Sequence, residues 1–384
     1  MTSKERILAA FDKQETDKVP VGHVSFSSAV ASDLLGREAY VGFGIQQWRE
    51  AVALWNGQDA HAEFVERSFQ DTLEVNRLGL NDIYRMMYPR NCRKPTKRID
   101  EHTFLYEYGE EETWKALRHD PEQEHINILF DYKPRPPLTY EAIEQQLAAG
   151  EKALASPPKP PVFSDDDASI RAYRMIGDTV TIRMSGGGVS IPRDEIWLEA
   201  VVLRPDLVAR HLDLQVERAR RTVGPLIEFG FTILFGGGDF AGYEGPFYSP
   251  KAFHELMLPR LQQVSEIIHG HGGRTIFASD GDLWPVADDL FGASGVDGFY
   301  EIDRLAGMDL KKLRGRFPDL TLMGNMNSCT LHTGSRDEVI EETLSCIEDA
   351  KELNGIIIGV SNMLMPGTPA ENVTAMLETI ENNR

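Results

Sequence analysis

The stretch Arg274-Thr275-Ile276-Phe277-Ala278-Ser279-Asp280-Gly281-Asp282 decides the fold. A short apolar run with β-branched residues ends in Ser, Asp and Gly, and a helical pattern follows. Such a run reads as a strand leading into a polar turn. The same rhythm recurs at 179–184, 232–235, 298–302, 321–323 and 356–360. The run 19–25 and the weaker run 83–87 bring the candidate strands to eight. Strands alternating with helices imply a parallel sheet, and eight such units favour a closed (β/α)8 TIM barrel. An open doubly wound sheet is the alternative, but no GxGxxG follows a strand.

The helices between the strands carry their own signals. Thr2 and Glu5 form a capping box ahead of Ile7, Leu8 and Phe11. Ser249-Pro250 opens a second helix with a cap and a first-turn proline. Ser335 and Glu338 form another capping box, and that helix stops at Asn354-Gly355. Thr368 is expected to cap the last helix, with Pro369 at its first position. Residues 88–175 break the rhythm. They hold Pro89, Pro95, an aromatic run at 103–108, acidic Glu110–Glu112 and proline-rich stretches at 134–137 and 157–161. This region reads as an insertion in one barrel domain spanning 1–384: a β-hairpin, a helix near 140–149, and loops.

Composition narrows the function classes. The net charge is −20 and no Lys/Arg-rich block occurs, which argues against nucleic acid as a partner. The acidic balance serves solubility, or an acidic docking face for a protein partner. Cys92, Cys329 and Cys346 form no CxxC pair, and their odd number argues against a disulfide framework, so a reducing cytoplasm is expected. No signal peptide and no apolar run of membrane-spanning length are expected.

In a parallel barrel the active site lies at the C-terminal ends of the strands. Those positions hold His23 and Ser25, then Ser185 to Gly188, then Gly236 to Asp239. Asp280-Gly281-Asp282, Glu301, Asp303, Asn325, Asn327 and Asn362 follow. Turn chemistry alone enriches such loops in Gly, Asp and Asn, yet the whole ring points to a ligand site. The Asp280/Asp282 pair can bind a cation, orient a polar substrate or cap the next helix. Cys329 with His332 is a coincidental pair rather than a metal site, and His269-Gly270-His271 is a helix-end motif on the far face. No GxSxG or GxxxxGK[ST] occurs, which lowers hydrolase and NTPase readings.

Several stretches resemble the uroporphyrinogen-decarboxylase-like superfamily. They are the opening Thr-Ser-Lys-Glu-Arg-Ile-Leu-Ala-Ala-Phe with Thr-Asp-Lys-Val-Pro-Val, and Gly245-Pro246-Phe247-Tyr248-Ser249-Pro250. Ser279-Asp280-Gly281-Asp282 with Trp284, Gly295-Val296-Asp297-Gly298, Ala306-Gly307-Met308-Asp309, and Met365-Pro366-Gly367-Thr368-Pro369 with Glu371-Asn372-Val373 fit it too. The resemblance covers both ends and most of 176–384, and it implies the barrel and a homodimer. It departs from the true decarboxylases, whose arginine-rich segment is here Ser25-Phe26-Ser27-Ser28-Ala29-Val30, and whose late histidine is here Asn362. It departs equally from the branch that feeds coenzyme M, whose His-x-Cys and late Cys are here Ala278-Ser279-Asp280 and Ser361-Asn362. The stretch 34–42 resembles the methyltransferase component of O-demethylase systems.

That resemblance implies methyl transfer from a methoxylated aromatic compound to Co(I) of a cobalamin-type corrinoid on a partner protein. Zinc occurs in some such enzymes; the ligands of any metal here stay open. The leaving oxygen then needs an acid. Asp280, Asp282, Glu301, Asp239, Tyr84 and Tyr243 are the candidates, with His23, Asp82, Arg183, Asn325, Asn327 and Asn362 binding substrate. Asp82 stands where the resemblance loosely sets the family's catalytic aspartate. The alternatives are decarboxylation of a non-porphyrin acid, with Arg183 or Arg85 as the cationic group, and a non-catalytic corrinoid or tetrapyrrole binder.

Overall fold

A computed structural model describes residues 1–86, 90, 92–109, 113–132, 137–158 and 161–384. Pro89, Glu110–Glu112 and parts of both proline-rich stretches fall outside the described residues.

The strands are, in chain order, β1 (Ile83–Tyr84), β2 (Lys97–Asp100), β3 (Thr103–Glu107), β4 (Trp114–Asp120) and β5 (His125–Asp131). After them come β6 (Thr181–Ile182), β7 (Met184–Ser185), β8 (Ile233–Gly237), β9 (Ala241–Gly242) and β10 (Gly245–Pro246). The last four are β11 (Arg274–Ala278), β12 (Gly298–Tyr300), β13 (Thr321–Met323) and β14 (Ile356–Ile357). A six-stranded parallel sheet runs β14-β13-β12-β11-β8-β7, and β1 pairs in parallel with β6. Residues 19–25 join through single contacts. Val21 bridges Ile358, and the Asp82 N–H donates to the Val21 carbonyl at 2.7 Å. The fold is thus the expected parallel α/β arrangement, with ladders that stop short of a continuous ring.

Side chains alternate along these strands with period two, and both faces are buried. Val24, Ile83, Ile233, Phe235, Ile276, Tyr300, Met323 and Ile357 share one inner cluster. Their neighbours Leu234, Phe277, Phe299 and Leu322 belong to the larger cluster that includes the helices. Ile7, Ala10 and Phe11 of the first helix, Ser3–Phe11, pack into the inner cluster. Both expected capping boxes are present, on Thr2 and on Ser335. The last helix differs: it begins at Ala370 with Pro369 as its cap residue and no side-chain cap, so Thr368 does not serve.

The insertion is larger than the expected hairpin. β2 to β5 form a four-stranded antiparallel sheet. Phe104 and Tyr106 of β3 form a small core, against which Trp48, Val52 and Trp55 of the helix Gly44–Asn56 pack. Helices Tyr140–Ala155 and Ala168–Ile176 follow. Among the described residues, no helix is long and apolar enough to cross a membrane.

Candidate active site

Three carboxylates meet where β8, β11 and β12 end. Asp239, Asp280 and Glu301 each offer an oxygen, and these atoms lie within 4.8 Å of one another. Asp280 continues the alternation that points Ile276 and Ala278 inward. Glu301 arrives differently. It follows the inward-facing Tyr300 and adopts φ +70°, a left-handed conformation that a non-glycine residue rarely holds. Backbone strain of this kind persists only where the surrounding structure over-determines it. The turned backbone brings the Glu301 carboxyl in beside Asp280.

Crowding and burial separate the protonation of these acids. Burial first, then the Asp280 and Asp239 charges, push Glu301 up to about 8, against the pull of Arg183 and Arg85. Burial, then Asp239 and Asp303, push Asp280 up to about 6. The Asn362 side-chain amide opposes that rise by donating to Asp280 Oδ2 at 2.8 Å. Near neutral pH the site therefore holds a protonated Glu301 beside a largely ionised Asp280. Pairs whose environments push their pKa values apart are how one site keeps an acid and an anion together. Asp239 sits at the outer edge, with Arg193 at 3.3 Å on its solvent side.

Two guanidinium groups face the acids. Arg183 lies between β6 and β7 and donates to the Tyr300 hydroxyl at 3.1 Å. Its cation stands 4.6 Å from the Phe235 ring centroid and 4.9 Å from that of Tyr300. Arg85 follows β1, two residues beyond the inward-facing Ile83, and stands 5.1 Å from the Phe43 ring centroid. Tyr300, fully buried, was not among the residues singled out from the sequence; its place in the period-two pattern after Gly298 is the signal that finds it.

The strand-end glycines serve backbone packing. A Cβ on Gly236 would lie 2.2 Å from the Gly188 nitrogen, so these two loops can touch only as glycines. Gly281, at φ +92°, lets the loop that carries Asp280 pass against Ala241.

Of the other expected site residues, several lie elsewhere. Asp82 precedes β1 and so sits at the opposite end of the strands. There it accepts from Ser3 and Arg6 at 2.6 Å each, from the Val21 N–H at 2.9 Å and from Arg384 at 3.4 Å, a structural ion cluster. Tyr84 faces the helix layer, because its neighbour Ile83 takes the inner face. Tyr243 lies in the β9–β10 turn and is 66% exposed. Asp282 accepts from the Trp284 N–H at 2.9 Å and shapes the turn. Asn327 caps the helix Ser328–Thr333 through the Cys329 N–H. His23 is buried beside Phe26, and its Nδ1 accepts from the Val360 N–H at 3.1 Å. Burial pushes its imidazole down to about 4, so it stays neutral. Asn325 is wholly buried, and neither side-chain amide atom has a partner among the described residues. Buried polar atoms are rarely left so, which is consistent with a role toward a polar ligand.

The donor set also bears on a metal. Oxygen ligands alone suit hard cations such as Mg2+, Mn2+ or Ca2+. Among the described residues no histidine or cysteine joins the trio, so the site does not fit a zinc–thiolate centre. His269 confirms its structural place, meeting Asp297 at 2.9 Å.

Comparison with known proteins bears on the family and the fold. Residues 195–383 match the sequence model of the family described as Uroporphyrinogen decarboxylase (URO-D). A uroporphyrinogen decarboxylase of Anaeromyxobacter sp. (strain Fw109-5) is 29% identical over 129 residues, 33% of this chain and 35% of that one. The match thus spans about a third of that relative's length. A solved methyltransferase from Methanosarcina mazei shares the fold with a TM-score of 0.63, over 100% of this chain and 99% of that one, at 19% identity. The segment 195–383, which supplies all three carboxylates, is the part that matches the uroporphyrinogen decarboxylase family model, and the fold shared with the solved methyltransferase extends along the whole chain.

Proposed function

We propose that this protein is a methyltransferase that takes the methyl group of a methoxylated aromatic compound and delivers it to the Co(I) centre of a corrinoid on a separate protein. The observation that carries the proposal is Glu301, a carboxyl group raised to about 8 at the strand ends where a substrate would enter. An aryl ether does not part with its methyl group while a full negative charge must develop on oxygen. A positioned acid with a pKa near the working pH removes that obstacle.

The corrinoid is a substrate here, the methyl acceptor, and its Co(I) supplies the electron pair that forms the new bond to carbon. The rest falls to this chain. The O–CH3 bond breaks with its electrons going to oxygen. Glu301 gives its proton to that oxygen, so the aromatic product leaves as a neutral phenol. Asp280, ionised and held by Asn362, keeps the Glu301 proton in place until transfer. Glu301 recovers a proton from solvent through the Asp239 side of the cluster. The fold shared with a Methanosarcina methyltransferase supports the reaction class.

A second reading is decarboxylation of a non-porphyrin acid, favoured by Arg85 and Arg183 at the same mouth and by the family's description. One anaerobic experiment separates the two. Purified protein is mixed with cob(I)alamin and a panel of methoxybenzoates and methoxyphenols, with and without a corrinoid protein. Enzyme-dependent methylcobalamin spectra support methyl transfer. Carbon dioxide release with no methylated corrinoid supports decarboxylation.

A further inference from the structure

Arg85 and Arg183 are short of partners. Each makes one side-chain hydrogen bond among the described residues: Arg183 to the Tyr300 hydroxyl at 3.1 Å, and Arg85 to the Val24 carbonyl at 3.5 Å. A guanidinium carries five N–H donors. Among the described residues neither has a carboxylate within ion-pairing distance, whereas the buried Arg6 is anchored by Asp82. Both are partly buried, and the Arg183 charge weighs on Arg85. Glu301, whose carboxyl feels both cations, is pushed up to about 8 and so is largely protonated at neutral pH, a poor counter-ion for them. Aromatic rings flank both groups: Phe43 beside Arg85, Phe235 and Tyr300 beside Arg183. Two like charges, partly dehydrated and unpaired, are a costly arrangement unless a ligand anion completes it. The planar fork of a guanidinium matches a carboxylate in two parallel hydrogen bonds.

We propose that Arg85 and Arg183 form a carboxylate-binding subsite, so that the substrate is an aromatic acid held by its carboxylate and acted on at a second substituent near Glu301. The naming of that second substituent as a methoxy group rests on the proposed methyl transfer; the carboxylate subsite does not. Such a ligand would span from the arginines, after β1 and β6, to the acids, after β8, β11 and β12. Its ring would lie over Tyr300, between the two sets of groups.

The test uses ligands that carry no methyl group and so undergo no transfer. Binding of 3,4-dihydroxybenzoate and of catechol is measured by calorimetry at pH 7 on the full chain. The pair differs only by the carboxylate. Wild type is expected to bind the acid at least tenfold more tightly. Arg183→Met and Arg85→Met are expected to bring that ratio close to one while leaving catechol affinity within about twofold. Arg183→Lys, which keeps the charge and loses the fork, gives an intermediate ratio, and it covers the case in which a methionine variant folds poorly. A wild type that binds both ligands equally, or neither, overturns the subsite. Acid binding that depends on the arginines, with no methyl transfer from the methoxylated acids, leaves the subsite standing and removes the methoxyarene reading alone.

Discussion

Asn362 donates its side-chain amide to Asp280 Oδ2 at 2.8 Å, tying the loop after the last strand to the loop after β11. The two residues lie 82 positions apart, and the bond selects between the acids. It favours the ionised form of Asp280, and an ionised Asp280 keeps the proton on Glu301.

Removing that proton donor is expected to stop chemistry without unfolding the chain. Glu301→Gln should lower the methyl-transfer rate about 100-fold or more, the range of a lost general acid. Asp280→Asn should also lower it sharply. Circular dichroism and thermal melting of both variants should stay close to wild type. A Glu301→Gln enzyme with near-normal turnover removes Glu301 from the scheme.

The pH dependence follows from the same pair. Activity is expected to fall as pH rises through about 8, where Glu301 ionises. Stability moves in the same direction. Burial raises the Glu301 pKa in the folded state above the ordinary carboxylate value, so the folded chain holds a proton that the unfolded chain has lost. The stability this gives is full at acid pH and is lost as pH rises through about 8. Glu301→Gln should therefore melt higher than wild type at pH 9, and melting curves across pH 5–9 check it.

Asp82 is expected to behave as a structural residue. Removing it leaves Arg6, itself buried, without its closest carboxylate. Asp82→Ala should cost about 3–5 kcal/mol, as for a broken buried ion pair. The rate per folded molecule should change little. Denaturant melts paired with active-site titration separate the two effects.

Tyr243→Phe and Tyr84→Phe are expected to keep turnover within about twofold of wild type. The first hydroxyl is on an exposed turn, and the second points into the helix layer. A loss of tenfold in either would mean that the site extends beyond the strand-end cluster.

Much of this was legible in the sequence, and the misses have physical causes. Asp239, Asp280 and Asn362 follow directly from the rule that the chemistry of a parallel barrel gathers at strand ends. Glu301 was legible by position alone; its inward turn depends on φ +70°, which residue type does not announce. Tyr84 is one step of register away from the inner face, and a single step sends a side chain to the opposite face. The same step makes Arg85 the inward residue. Asp82 lies before β1 rather than after it, and a loosely placed strand boundary does not say at which end of its strand a residue lies. The insertion was read as a hairpin because its alternation is interrupted. Ala116 pairs Phe130 and Leu117 pairs Ile128, so a bulge at Leu129 shifts the pattern midway along β5.

The most direct test of the account is single-turnover methyl transfer from a methoxybenzoate to cob(I)alamin, followed optically from pH 6 to 9 for wild type and Glu301→Gln. The wild-type rate is expected to fall above about pH 8, and the variant to be slower by about 100-fold or more with no such fall. A variant that transfers the methyl group at the wild-type rate, with the same pH profile, would contradict it.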